Sequence, residues 1–399
     1  MGRDGYEVFS KCTIGKLTLK NRLVRSATAD PPVYRSPQIT DELLTVYREL
    51  ATGGVGMIIT GKIIVAVESE INSERRSSIN EFWIEGLEKM AEVVHDAADD
   101  CKIIAQLGAE GMDIWSSDFP DPFSNTKKRV FSVEEIQKVE DCFVGLIRKL
   151  KKAGFDGVQL HGAHGYVLCS FLSPYMNRRT DEYGGSVKNR VRIVREIISK
   201  ARENVGDYPI LIKMNCTDNM DGGINIDTFP EMAKEIESTG VDAIEVSGGI
   251  WQCLARTEEE LGFRPVPIAE SHTRINTPEK QHYYLKYAER LDLNIPVILV
   301  GGNKDIERME QIVHQGKVDF MALCRPLISE PDLPNRWLEG RGSNTTDCIS
   351  CNSCLYPLWS SQKTFVFTCL YKQDKEQYRK AQKWLKSFVK HAIENKKIW

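Results

Sequence analysis

"GVQLHGAHGY", residues 157–166, decides how this chain is read. A short uncharged run closes on His161. His164 follows three residues later and Tyr166 two after that. The run suits a strand buried on both faces, as in a parallel sheet. The residues at its end leave three readings open: a metal site, an oxyanion clamp or a structural corner.

Seven similar runs accompany it: LVRSAT (23–28), GMIITG (56–61), IIAQL (103–107), PILIKM (209–214), AIEVSG (243–248), PVILVGG (296–302) and DFMALC (319–324). Several follow stretches with apolar residues every three or four positions, such as 191–198 and 229–236. Eight strands alternating with helices predict a (β/α)8 TIM barrel. The runner-up, a doubly wound open sheet, lacks a GxGxxG after an early strand. The expected division is a barrel over 1–340, a cysteine-containing segment over 341–371 and a basic helix over 372–399. Tyr378, Leu385, Phe388, Val389 and Ile393 stand at roughly helical spacing in that last segment. Docking on the barrel is the plain expectation for it; a helix for a partner or a membrane surface is the sharper one.

Of 399 residues, 41% are hydrophobic and 27% charged, which suits a globular protein with a sizeable core. A net charge of −3 gives no global argument for nucleic acid or an anionic membrane. No apolar run approaches the roughly 18 residues of a membrane span. The first ten residues, MGRDGYEVFS, lack the apolar core of a signal peptide, and Tyr6 stands where a myristoylation motif needs Ser or Thr. The chain is expected to be cytoplasmic. Its eleven cysteines are then not a disulfide framework.

Enzymes on this barrel place their chemistry at the C-terminal ends of the strands. Those ends carry Ser26-Ala27-Thr28, Thr60-Gly61-Lys62, Gln106, His161 with His164, Lys213, Ser247-Gly248-Gly249, Gly301-Gly302 and Cys324-Arg325. The last two suit a phosphate site, with glycine exposing backbone N–H groups and arginine adding a cation. Gln106 and Lys213, nearer the axis, suit the polar edge of a flat heterocycle. The structural alternative for Lys213 is an ion pair with a carboxylate inside the barrel. A metal at His161 and His164 would need further ligands, and no third His or carboxylate stands at a suggestive spacing.

The stretches LKNRLVRSAT (19–28), GGVGMIITG (53–61), AQL (105–107), GFDGVQLHGAHGYVLCSFLSPYMNRRTDEYGGSVKNRVR (154–192), GGNKD (301–305) and ALCRPLISEPDLPNRW (322–337) carry a resemblance. Over roughly residues 8–340 the chain resembles the Old Yellow Enzyme family of FMN-dependent ene-reductases. The resemblance implies FMN lined by Ser26, Ala27, Thr28, Gly61, Gln106, Lys213, Gly301, Gly302, Cys324 and Arg325, with NAD(P)H as hydride donor. It implies that His161 and His164 hydrogen-bond the carbonyl oxygen of an α,β-unsaturated substrate and that Tyr166 protonates its α-carbon. Three positions depart from the family pattern. Ala29 stands where many relatives have Cys or Thr, Ala109-Glu110-Gly111-Met112 stands in place of an HxGR sequence, and Lys213 stands where arginine is frequent.

Beyond the barrel, CISCNSC gives Cys348, Cys351 and Cys354, and Cys369 follows. Thiolates at this spacing bind zinc or iron–sulfur clusters. The placement is similar to the 2,4-dienoyl-CoA reductase and trimethylamine dehydrogenase branch, which implies a 4Fe–4S cluster. In that branch the third cysteine comes one residue later and the fourth sooner, so zinc and free thiols stay open. The FAD and NAD(P) domains of that branch find no room here, so a cluster would take electrons from a separate donor protein. Three functions compete: reduction of an activated alkene, oxidative demethylation with electrons leaving through a cluster, and non-catalytic electron transfer by bound FMN. A small-molecule substrate, no nucleic acid, no membrane span and a homo-oligomer complete the expectation.

Overall fold

The computed structural model describes residues 2–30, 39–65, 81–109, 114–124, 127–264, 266–358 and 367–395. Glu110–Met112 and residues 396–399 lie outside them, as does part of the cysteine segment. All eight sequence runs form strands: β1 (Leu23–Arg25), β2 (Met57–Ile59), β3 (Lys102–Gly108), β4 (Gly157–Gly162), β5 (Ile210–Asn215), β6 (Ala243–Ser247), β7 (Val297–Leu299) and β8 (Phe320–Leu323). Each pairs in parallel with the next. Pairing of Met321 with Leu23 joins β8 to β1 and closes the barrel.

Strand side chains alternate between two environments. Val24, Met57, Ile59, Ile104, Leu211, Ala243, Ile298, Phe320 and Ala322 form the inner core. The intervening Leu23, Ile58, Ile103, Ile212, Ile244, Met321 and Leu323 belong to the outer core beneath the helices. A hairpin of Cys12–Ile14 and Leu17–Leu19 adds Ile14 and Leu19 to the inner core. Advancing two residues along the strands exchanges apolar for polar: Ser26, Gln106, Lys213 and Glu245 follow Val24, Ile104, Leu211 and Ala243. The cavity stands above that polar layer.

The surrounding helices include α1 (Asp41–Thr52), α2 (Glu81–Ala97), α3 (Val133–Lys152), α4 (Arg192–Val205), α5 (Phe229–Glu237) and α6 (Ile306–His314). α3 starts at a capping box: the Ser132 hydroxyl accepts from Glu135 N–H while the Glu135 carboxylate accepts from Ser132 N–H. α4 buries Ile193, Val194, Ile197, Ile198, Ala201 and Val205 along one stripe, as its period predicts. Truncating a core isoleucine such as Ile197 to alanine costs about 2–5 kcal/mol. The alternation breaks between β6 and β7. The described residues of 248–296 hold only short helical turns, and Trp251, Glu270 and Tyr283 of this connection line the cavity at the strand ends.

The C-terminal helix α7 (Lys375–Asn395) docks, as the plain expectation has it. Leu385, Phe388 and Ala392 are buried in a cluster with Val266. Among the described residues no helix is long and apolar enough to cross a membrane.

Candidate active site

A cavity of about 970 Å3 opens at the C-terminal ends of the strands. Ser26, Ala27, Thr28, Gln106, His161, His164, Tyr166, Lys213, Gly301, Gly302, Cys324 and Arg325 all line it. Gly61 does not. It is packed beneath, where an added Cβ would stand 2.6 Å from Thr28 O and 2.7 Å from Asp30 N. Gly61 therefore shapes the wall from behind.

The floor is one hydrogen-bonded network. Gln106 Nε2 donates to Gln159 Oε1 at 2.8 Å, and Gln159 Nε2 donates to Glu245 Oε2 at 2.7 Å. Lys213 Nζ lies 3.1 Å from Glu245 Oε1 and donates to Ser26 Oγ at 2.9 Å. Lys213 pairs with a carboxylate inside the barrel, as its structural alternative has it, and it also lines the cavity. The pairing matters, because an uncompensated buried ammonium would be strongly unfavourable.

His161 and His164 need an explanation. Residues three apart on a straight strand point to opposite faces. Here His164 has φ 62° and Gly165 φ 82°, so the chain turns through left-handed backbone directly after β4. Asn215 Oδ1, at 3.2 Å from His164 N–H, pins the turn. The turn brings the two rings to one wall, centroids 5.1 Å apart, with Tyr166 4.9 Å from His161. Burial pushes His161 well below the ordinary histidine range, aided by His164, Lys62 and Lys213. Burial, then Lys213 and Lys62, does the same to His164. Both rings are neutral at pH 7, so each has one nitrogen to donate. His164 is held through one nitrogen: Nε2 is 2.7 Å from Ser247 Oγ, whereas Nδ1, 3.6 Å from Glu270 Oε1, lies beyond hydrogen-bond distance of it. Nδ1 of His161 is buried without a protein partner among the described residues, so its tautomer is free to follow a ligand.

The opposite end of the cavity is cationic. Arg325 Nη1 donates to His272 O at 2.8 Å and to Asn352 Oδ1 at 2.6 Å. Gly301 and Gly302 have φ 115° and 76°, conformations that L side chains rarely adopt. Lys304, on the same wall, donates to Ile275 O at 3.0 Å. The Tyr283 ring covers the glycine turn, and a Cβ on Gly301 would meet it at 2.6 Å.

FMN fits this cavity by its volume, by the cation pair beside the glycine turn and by the amide and ammonium on the floor. The phosphate would lie toward Arg325 and Lys304, and the ring system toward Gln106 and Lys213.

Glu270, Tyr283 and Trp251 also line the cavity, and sequence reasoning missed them. They sit in the β6–β7 connection, where no periodicity marks them. Lys62 and Ser247 were visible at strand ends, but nothing in the residues alone separated them from neighbours.

The expected metal site is not shown. Cys348, Cys351, Cys354 and Cys369 all line one small cavity, of about 20 Å3, behind Arg325. Yet among the described residues no three His, Cys, Asp or Glu side chains are placed to hold a metal ion. The loop is built around Asn352 instead. That residue has φ 59°, accepts from Arg325, and donates to Ser271 O at 3.1 Å. Burial raises the Cys354 thiol well above its ordinary range and raises Cys348 as well, so with no metal bound both favour the protonated form.

The description NADH:flavin oxidoreductase / NADH oxidase family belongs to the family model that matches residues 7–344. An NADH oxidase from Thermoanaerobacter brockii is 33% identical over 358 residues, covering 86% of this chain and 52% of that protein. A 4,4'-dithiodibutanoate disulfide reductase from Rhodococcus erythropolis is 27% identical over 397 residues, covering 90% of this chain and 94% of that one. Among solved structures, a 2-naphthoyl-CoA reductase superposes with a TM-score of 0.78 at 22% identity, over 93% of this chain and 58% of that one. The chain thus spans about half the length of the NADH oxidase.

Proposed function

This chain belongs to the NADH:flavin oxidoreductase / NADH oxidase family, the Old Yellow Enzyme group, and from that premise we propose that it reduces a carbon–carbon double bond conjugated to a carbonyl. Bound FMN, reduced by NADH or NADPH, would supply the hydride. The residues of this chain do the rest. Charge moves to the carbonyl oxygen as the double bond is attacked, and His161 and His164 donate hydrogen bonds there. Their neutrality suits the task, since a neutral imidazole donates without surrendering its proton. Tyr166, its ring 4.9 Å from that of His161, gives the proton of Oη to the α-carbon, and water restores it. Ser26 and Glu245 hold Lys213, and Gln159 holds Gln106, toward the flavin ring. Arg325 and Lys304 bind the phosphate.

The observation that carries this reading is the pair of neutral histidines on one cavity wall with a phenol beside them. The NADH oxidase relative supports NADH as the donor. The test is anaerobic purification with chromatography of the released flavin, followed by NAD(P)H oxidation with cyclohexenone. FMN and enone-dependent turnover are expected. FAD, or FMN without enone turnover, would sink the proposal. Dye reduction driven by an amine would favour oxidative demethylation instead.

A further inference from the structure

Lys62 stands at the end of β2, on the cavity wall and only 8% exposed. Two glycines explain its placement. Gly61 lets the backbone press against Thr28–Asp30. At the end of β3, Gly108 leaves bare backbone on which the lysine stem lies: a Cβ there would stand 2.7 Å from Lys62 Cδ and 3.3 Å from His161 Cβ. The stem thus threads between β3 and the histidine wall. Its ammonium ends 3.5 Å from the centroid of the Tyr166 ring.

We infer that Lys62 is a positioning residue for Tyr166, fixing the phenol on the wall and easing loss of its proton to the substrate. A cation over a ring face attracts a neutral phenol modestly and a phenolate far more. The gain therefore grows as the proton moves, and an interaction that strengthens along the reaction speeds it. The inference rests on the reduction proposed above. In that step the Tyr166 Oη–H bond breaks, the electron pair released by hydride attack forms the α-carbon–hydrogen bond, and the phenolate left behind takes a proton from water. Other charged groups on this wall are differently engaged. Lys213 pairs with Glu245, Lys128 pairs with Asp121 at 2.8 Å, and Glu270 lies beside His164. His161 and His164 are neutral, and Lys127 is exposed at the rim.

The experiment is the single-turnover reaction of reduced, FMN-loaded protein with cyclohexenone, followed from pH 6 to 10 in H2O and D2O. Lys62→Met keeps length and removes the charge; Lys62→Arg keeps the charge. Expected for Lys62→Met is a rate about tenfold lower at neutral pH, within the range of a desolvated cation–ring contact. The alkaline limb should move to higher pH and the solvent isotope effect should rise. Lys62→Arg should restore most of the rate. FMN content and melting temperature report whether each variant folds. A Lys62→Met profile that matches the parent overturns the inference alone, provided Tyr166→Phe is slow. A parent that holds FMN but leaves enones untouched, or a Tyr166→Phe variant as fast as the parent, overturns the proposed function and this inference with it.

Discussion

At the end of β4, two histidines three residues apart share one wall, their ring centroids 5.1 Å apart. In the segment after the barrel, four cysteines surround one small cavity, yet among the described residues no three are set for a metal. Both regions announce chemistry by spacing. They differ in what holds the backbone between the named residues. His161 lies in a strand paired on both sides, and Asn215 of β5 and Ser247 of β6 pin His164. Between the cysteines, Ser350 and Asn352 adopt left-handed backbone, and the buried anchor is an amide. A spacing becomes a site when independent elements fix both of its ends. In the cysteine segment the fixed point is Asn352, and what it serves is Arg325.

The largest expected effect tests the histidine side. Removing one oxyanion donor typically costs about 10²–10³ in rate. His161→Ala and His164→Ala should slow enone reduction by about that factor, with flavin reduction by NAD(P)H nearly unchanged. Stopped-flow measurement of the two half-reactions separates these outcomes. Parent-like enone reduction in both variants would make the pair structural, and the two regions would then be alike.

The next effect tests the cysteine side. Asn352→Ala removes the acceptor 2.6 Å from the Arg325 guanidinium. A hydrogen bond to a charged group contributes about 1.5–3 kcal/mol, so FMN affinity should fall about tenfold or more. Cys351→Ser should leave it within about twofold, because no side-chain bond from Cys351 reaches the cavity among the described residues. Fluorescence titration of apoprotein with FMN gives both numbers. Stoichiometric iron and acid-labile sulfide in anaerobic protein, lost in Cys351→Ser, would break the contrast outright.

The barrel was legible because its strands repeat one pattern eight times, and the inward positions could be read by counting in twos. Val24 to Ser26 and Leu211 to Lys213 show how the same count passes from core to site. The facing of His161 and His164 could not be counted, since it depends on a left-handed residue that is not glycine. Glu270 and Tyr283 were hidden for another reason. The β6–β7 connection places them by long-range contacts, such as Tyr283 Oη with Glu270 O at 3.1 Å, that leave no local period. Asn352 was overlooked because the cysteines around it carried the louder signal.

The smallest effect uses pH to separate the two regions. Burial favours the uncharged form of His161 and His164 in one region and of Cys354 in the other, by shifts in opposite directions. His161 and His164 have folded values well below 6.5, the ordinary value. Below that pH the unfolded chain binds protons that the folded chain refuses, so stability falls as pH drops and is fully present above it. Each such histidine costs about 1.4 kcal/mol one unit below its ordinary value. Cys354 has a folded value well above its ordinary 9.0. Above that pH the unfolded chain sheds a proton that the folded chain keeps, so stability falls as pH rises. The histidine wall thus contributes to the acid edge of stability, together with the buried His272 and His282, and the thiol cavity contributes to the alkaline edge. Urea unfolding at pH 5.5, 7.5 and 10 should show losses at both extremes. His164→Asn should flatten only the acid limb and Cys354→Ala only the alkaline one, each by about 1 kcal/mol. A Cys354→Ala variant with an unchanged alkaline limb would mean that this thiol is not held in the protonated state. The segment would then regain the thiolate chemistry that its spacing first suggested.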